Sequence, residues 1–187
     1  VNDVLPPDVL HARTLRQPSR GATLTALDEA AIQRAAKGEV RIVREANFVA
    51  FVSPDESVAQ AAAVAAERYA TWSNVRSIAP AEPEAAWLED QPAEERHIGA
   101  PPAASPPMNL ARITVSRPYI AHASLAPSCA LVRFHDGHLT VRSHGQGMHP
   151  LRTNLAAALK LPVEAITAQH LHGAGCYGHN GADDAAL

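Results

Sequence analysis

Two glycine-rich stretches bracket a helix–strand segment late in the chain, and they constrain it more than any other feature. The first reads His144-Gly-Gln-Gly-Met-His-Pro-Leu-Arg152. The second reads His172-Gly-Ala-Gly-Cys-Tyr-Gly-His-Asn-Gly-Ala-Asp-Asp184. Glycine lets a backbone N–H approach a ligand closely, and N–H groups in loops and at helix starts favour negative charge. Both stretches therefore suit a ligand rich in oxygens, such as a phosphate, a pterin or a metal oxo group.

Between them, Met148 to Lys160 reads as a helix with Pro150 near its start and Leu151, Leu155, Ala158 and Leu159 on one stripe. Leu161-Pro162 ends it, and Ala165 to Gln169 is a strand that feeds the second loop. Upstream, His135-Asp136-Gly137-His138 is a hairpin turn by its Asp-Gly pair, between a strand ending at Phe134 and a return strand Leu139 to Arg142. Ala111 to Val115 reads as a further strand, and Cys129 as a small core residue.

The first part of the chain reads as an α+β unit. A strand begins near Val9, with Leu10, Ala12 and Thr14 as its apolar alternation, and a second spans Ala22 to Leu27. Asp28 caps a helix from Glu29 to Ala36 that Lys37-Gly38 stops. Val40 to Val43 and Asn47 to Ser53 are strands. Ser53-Pro54-Asp55-Glu56 then starts a helix, with Ser53 as the cap, whose inner face is Val58, Ala62, Ala65 and Tyr69. The expected division is residues 1–72 as this unit, 73–107 as a linker rich in Pro, Ala and Glu, and 108–187 as a second unit. Trp87-Leu88 reads as a short helical anchor within the linker.

The net charge of −3 and the scattered basic residues argue against a nucleic-acid partner, which calls for a basic stripe. Two cysteines, Cys129 and Cys176, make no disulfide framework. The chain opens at Val1 without methionine and closes at Leu187 where a helix begins, so it reads as a fragment of a longer polypeptide.

Three pieces resemble the molybdenum-hydroxylase family, the large subunits related to xanthine dehydrogenase and aldehyde oxidase. Tyr119-Ile-Ala-His-Ala-Ser-Leu-Ala-Pro-Ser-Cys-Ala130 is similar to its His-Ala-x-x-x-Pro strand. Ser143 to Arg152 is similar to its glutamine loop, and Gly173 to Asp184 to its glycine-rich pterin loop. The subgroup most resembled contains isoquinoline 1-oxidoreductase beta subunits and the molybdopterin subunit of nicotinate dehydrogenase. Val9 to Pro18 and the α+β unit resemble the family's α/β hammerhead domain. The fold implied is α+β, a hammerhead domain followed by the start of a molybdopterin-binding domain.

The resemblance implies a molybdopterin cofactor with molybdenum, in its cytosine dinucleotide form. Gln146 would hydrogen-bond an oxo or pterin group, and Gly173, Gly175, Cys176, Tyr177 and Gly178 would line the cofactor loop, mostly through backbone N–H groups. The implied parent hydroxylates an aromatic N-heterocycle or oxidises an aldehyde, with water as the oxygen source. Iron–sulfur centres would sit on a small 2Fe–2S partner subunit, with a cytochrome c as a further partner. The family's catalytic glutamate belongs to a segment downstream of Leu187, so no glutamate here takes that role, and the fragment alone is expected to be inactive.

Competing readings remain. His170, His172, Cys176 and His179 form His-x-His-x3-Cys-x2-His, four N/S donors that could hold zinc. A structural remnant without catalysis is a third class. Gln146 could cap the helix that follows, and Asp183 and Asp184 the next one. His122 could line a substrate cavity or sit in the core. A Cys176–His179 nucleophile lacks any marked base and orienting group.

Overall fold

The computed structural model describes residues 4–78, 85–96, 98–99, 111, 113–117, 126–173 and 175. His122, Cys176, Tyr177, Gly178, His179, Asp183 and Asp184 lie outside the described residues. The chain divides into two units: Leu10–Tyr119, and Val1–Val9 with Ile120–Leu187.

The first unit runs β1 (His11–Thr14), β2 (Thr23–Leu27), α1 (Glu29–Ala36), β3 (Arg41–Glu45), β4 (Phe48–Ser53), α2 (Glu56–Tyr69), β5 (Ala70–Ser73) and α3 (Ala85–Glu89). β4 lies between β1 and β3 in one antiparallel sheet, and β2 pairs with β5 in another. Phe51, Val49 and Ile32 are fully buried, packed with Leu15, Leu24, Ala36, Ala62 and Ala66.

Local chemistry accounts for most boundaries. The Asp28 carboxylate accepts the Ala31 N–H at 2.9 Å and starts α1. Lys37 ends it in the left-handed region (φ 57°). Gly38 follows because a Cβ there would sit 2.6 Å from Val58 Cγ2. The β3–β4 hairpin turns at Ala46 (φ 50°) and Asn47. Asn47 then works beyond its turn. Its Oδ1 accepts the Leu24 N–H at 2.8 Å and its Nδ2 donates to the Ala22 carbonyl at 3.0 Å. One side chain thus pairs with β2 as a strand would, and ties the two sheets together.

Several expectations are corrected. In β1 the apolar alternation faces outward: Leu10, Ala12 and Thr14 are exposed, while His11 and Arg13 are half-buried. Arg13 takes the helix side because its guanidinium reaches Glu56 and Gln60 on α2. The cap of α2 is Asp55, not Ser53. Ser53 is buried at the end of β4, where its hydroxyl donates to the Glu39 carbonyl and accepts the Asp55 N–H. The inner face of α2 is Ala59, Ala62, Ala65 and Ala66; Tyr69 is exposed. A bulge in β2 between Leu24 and Ala26 breaks the alternation, so Leu24 is buried and Ala26 exposed. β5 is additional, and it abuts α2 with no glycine or proline to mark the change. Residues 111 and 113–117 contain no strand, and Ile113 and Val115 are exposed. The anchor at Trp87 does form a short helix, α3, with Trp87 half-buried.

The second unit runs β6 (Ala130–His135), β7 (His138–Ser143), α4 (Met148–Leu159), a 3-10 turn Val163–Ala165 and β8 (Ile166–His170). β6 and β7 form the expected hairpin, with Asp136 and Gly137 both at positive φ (49° and 75°). β8 pairs with β7 in parallel, so α4 is the crossover. Leu139, Val141 and Ile166 pack with Leu151 and Leu155 of α4. Ala158 and Leu159, expected on the same stripe, are exposed. The helix ends at Lys160 (φ 55°), and the Leu161 N–H turns back to the Ala156 carbonyl at 3.1 Å, so Leu161 takes their place in the core.

Two stability effects follow. Asn47→Ala removes both partners of β2, and is expected to cost about 1–3 kcal/mol in chemical denaturation. Asn47→Asp keeps the acceptor but loses the donor to Ala22, and is expected to fall between. At Asp55, the Ser57 hydroxyl (2.7 Å) and then the Ser57 N–H (2.8 Å) hold the carboxyl below its ordinary value of 3.8. The cap's contribution is therefore full above that value and is lost as pH falls through the lowered one. The melting temperature gap between wild type and Asp55→Ala should shrink on acidification below pH 3.8.

Candidate functional site

The parallel pairing of β7 and β8 places the two glycine stretches side by side. Ser143 and His170, the last residues of the two strands, are register partners. The chain leaves both strands at the same edge, one into Gly145–Gly147 and α4, the other into Leu171–Gly175. The carboxyl ends of parallel strands, beside a helix N-terminus, are where sheets of this kind take ligands. β6 is antiparallel, and its first residue Ala130 pairs with Ser143. Half-buried Cys129 therefore enters the sheet at this same edge, rather than in a core.

The two loops are fastened to each other. The Leu171 N–H donates to the Ser143 carbonyl at 2.8 Å, one step past the strand pairing. The Ser143 hydroxyl, fully buried, accepts the Gly145 N–H at 3.4 Å. His170 Nδ1 lies 3.1 Å from the Gly145 carbonyl oxygen. In return, the buried His144 side chain lies against Gly173, where a Cβ would meet His144 Cβ at 2.5 Å and Cγ at 2.6 Å. Glycine at 173 is thus required by close packing between the loops.

Around this joint the surface is donor-rich. Gly147 is the N-cap of α4, with no side-chain capping bond and no acidic residue in the first turn. The alternative role of Gln146 as the cap is thereby corrected: Gln146 lies one residue earlier and is exposed. Gly173 and Gly175 are also exposed, and Gly175 has φ +86°, which leaves its backbone open to approach. No Asp or Glu occurs from Ser143 to Arg152 or from His170 to Gly175. The arrangement presents N–H donors and an amide, and these two stretches carry no carboxylate to repel an anion.

Of the expected site residues, Gln146, Gly173 and Gly175 fall together at this edge. The placement of Cys176, Tyr177 and Gly178 lies outside the described residues. The same holds for Cys176 and His179 of the zinc set. The His170 and His172 rings are edge-to-face, with centroids 6.1 Å apart. Among the described residues no group of three His, Cys, Asp or Glu is disposed to hold a metal. Ser143 and the loop-bridging role of His170 are not apparent from the sequence alone. Their signal, a polar residue closing each of two parallel strands before a glycine loop, appears only once the strands are paired. In the first unit, a shallow groove lined by Leu10, Arg41, Val43 and Val52 offers no comparable set of converging donors.

The packing at Gly173 can be checked by a double-mutant cycle. Gly173→Ala is expected to destabilise by about 1–3 kcal/mol, since the new methyl meets a buried neighbour. With His144→Gly in place the same substitution should cost much less. Additive melting shifts would show that the two residues do not touch.

No family model matches this chain, and no solved structure matches it. Among curated proteins, it is 33% identical to a subunit of the nicotinate dehydrogenase of Pseudomonas putida, over 98% of its own length. It spans 16% of that relative. An alignment of that extent supports a relationship of this chain to the molybdenum-hydroxylase family.

Proposed function

We propose that this chain is a cofactor-binding part of a molybdopterin-dependent oxidoreductase that works within a multi-subunit complex. The observation that carries this reading is the pair of glycine loops brought to one edge by β7 and β8, beside the uncapped start of α4. The similarity along nearly the whole chain to a subunit of a nicotinate dehydrogenase supports it.

The residues present fit the group. A pterin with its phosphate is anionic and rich in acceptors, and this edge offers N–H donors and the Gln146 amide, with no carboxylate from Ser143 to Arg152 or from His170 to Gly175. Gln146 would donate to, or accept from, the polar atoms nearest the metal. The backbone of Gly173, Gly175, Cys176, Tyr177 and Gly178 would hold the pterin, and the first turn of α4 would add N–H groups. When bound, the cofactor supplies two-electron chemistry in which a substrate carbon gains oxygen from water. The chain's own contribution is to bind, orient and balance charge. The substrate class is an aromatic N-heterocycle or an aldehyde, and the electrons leave to iron–sulfur centres on a 2Fe–2S partner subunit. The cytosine dinucleotide form of the pterin and a hammerhead fold for the first unit belong to the same reading. No glutamate of this chain is assigned as the catalytic base.

Elemental analysis of the full-length protein tests this first. Near-stoichiometric molybdenum is expected, with oxidation of nicotinate-like heterocycles or aldehydes by an artificial electron acceptor. Gln146→Ala should retain molybdenum and lower kcat roughly 100-fold, the usual effect of removing one preorganised polar group from a reacting centre. Zinc without molybdenum, lost when His170 and His172 are replaced, would overturn the reading in favour of the His/Cys module.

A further inference from the structure

His170 closes β8, but its ring serves the neighbouring loop. Its Nδ1 lies 3.1 Å from the carbonyl oxygen of Gly145. A carbonyl only accepts, so Nδ1 must carry the hydrogen. Gly145 is buried, and side chains satisfy both of its backbone polar groups: Ser143 Oγ takes its N–H, and His170 takes its carbonyl. The residue immediately before Gln146 is therefore held through both of its backbone polar groups, while Gln146 itself is exposed. The strand register supplies the reach, because Ser143 and His170 are partners and Gly145 is two residues beyond.

We propose that His170 is a positioning residue: its Nδ1–H sets the Gly145–Gly147 loop, so that the Gln146 side chain and the first N–H groups of α4 face the cofactor together. This rests on reading the two loops as a cofactor cradle. His170 touches neither substrate nor cofactor in this role, and it acts through the peptide it holds. The same bond links the loops after β7 and β8, so a change in one loop is felt by the other.

The test uses three substitutions in the full-length protein: His170→Asn, His170→Gln and His170→Phe. Asparagine places an N–H donor where Nδ1 stands, glutamine places it one bond farther, and phenylalanine offers none. Amide hydrogen exchange of Gln146 and Gly147 is read in cofactor-free and loaded protein, beside molybdenum content, kcat and KM. His170→Phe and His170→Gln should speed exchange roughly tenfold, the loss of one net hydrogen bond. They should also lower molybdenum content and kcat with little change in KM. His170→Asn should restore exchange to within about twofold of wild type. Unaltered exchange in His170→Phe, or no rescue by asparagine in a folded variant, would overturn the assignment whatever the metal content. Altered exchange in a wild-type background that holds no molybdenum would instead sink the cradle reading and leave the loop-setting role of His170 standing.

Discussion

The parallel pairing of β7 with β8 is the constraint on which the candidate site depends. Parallel neighbours cannot be joined by a tight turn, so the chain must leave the sheet, cross over it and return. Here α4 is that crossing, held down by Leu151 and Leu155 against Leu139, Val141 and Ile166. The Arg152 side chain adds a second tether, with Nε donating to the Ile166 carbonyl at 2.7 Å where β8 begins. Once the crossing is fixed, both strands point the same way and end at the same edge. Two loops that are 28 residues apart at His144 and His172 then become neighbours without any long-range contact designed for that purpose.

That joint also explains the residues chosen at the edge. Ser143 and His144 are buried polar residues in a small unit, where such groups need partners. Ser143 serves Gly145, and His144 fills the space that a side chain at 173 would otherwise need. The glycines thus have different duties. Gly173 is small because its neighbour is close and Gly175 because its φ is positive, while Gly147 begins a helix without a side-chain cap.

What could be read from the sequence was mainly what short-range chemistry decides. Asp28 and the α1 bounds, the Asp136-Gly137 turn and the extent of α4 all follow from capping, turn or periodic signals within a few residues. The first loop of the candidate site stood out in the same way, since Gln146 stands between two glycines ahead of a helix. The misreadings arise where a distant partner decides. Arg13 turns inward because α2 offers Glu56 and Gln60, and that sends Ala12 and Thr14 outward. Ser53 loses the capping role because its hydroxyl donates to the Glu39 carbonyl, just ahead of β3. The bond from His170 to the Gly145 carbonyl was hidden for the same reason, since that acceptor is 25 residues away. Apolar pattern alone also misled at Ile113 and Val115, where no paired strand buries them among the described residues.

Helix α2 carries a consequence of a different kind. Its buried positions, Ala59, Ala62, Ala65 and Ala66, are all alanine, and Ala59, Ala62 and Ala66 are fully enclosed. A face of methyl groups brings a helix backbone close to its neighbours, so little is lost by trimming it and much by enlarging it. Most cores are vulnerable to deletion of volume; this one is vulnerable to gain. A single-base change from an alanine codon to valine would be a damaging event here, and one to glycine would act through helix propensity instead. Random variation in the first unit should therefore be filtered by size before polarity, with the alanine face kept over long divergence even where the strands opposite it exchange one large apolar residue for another.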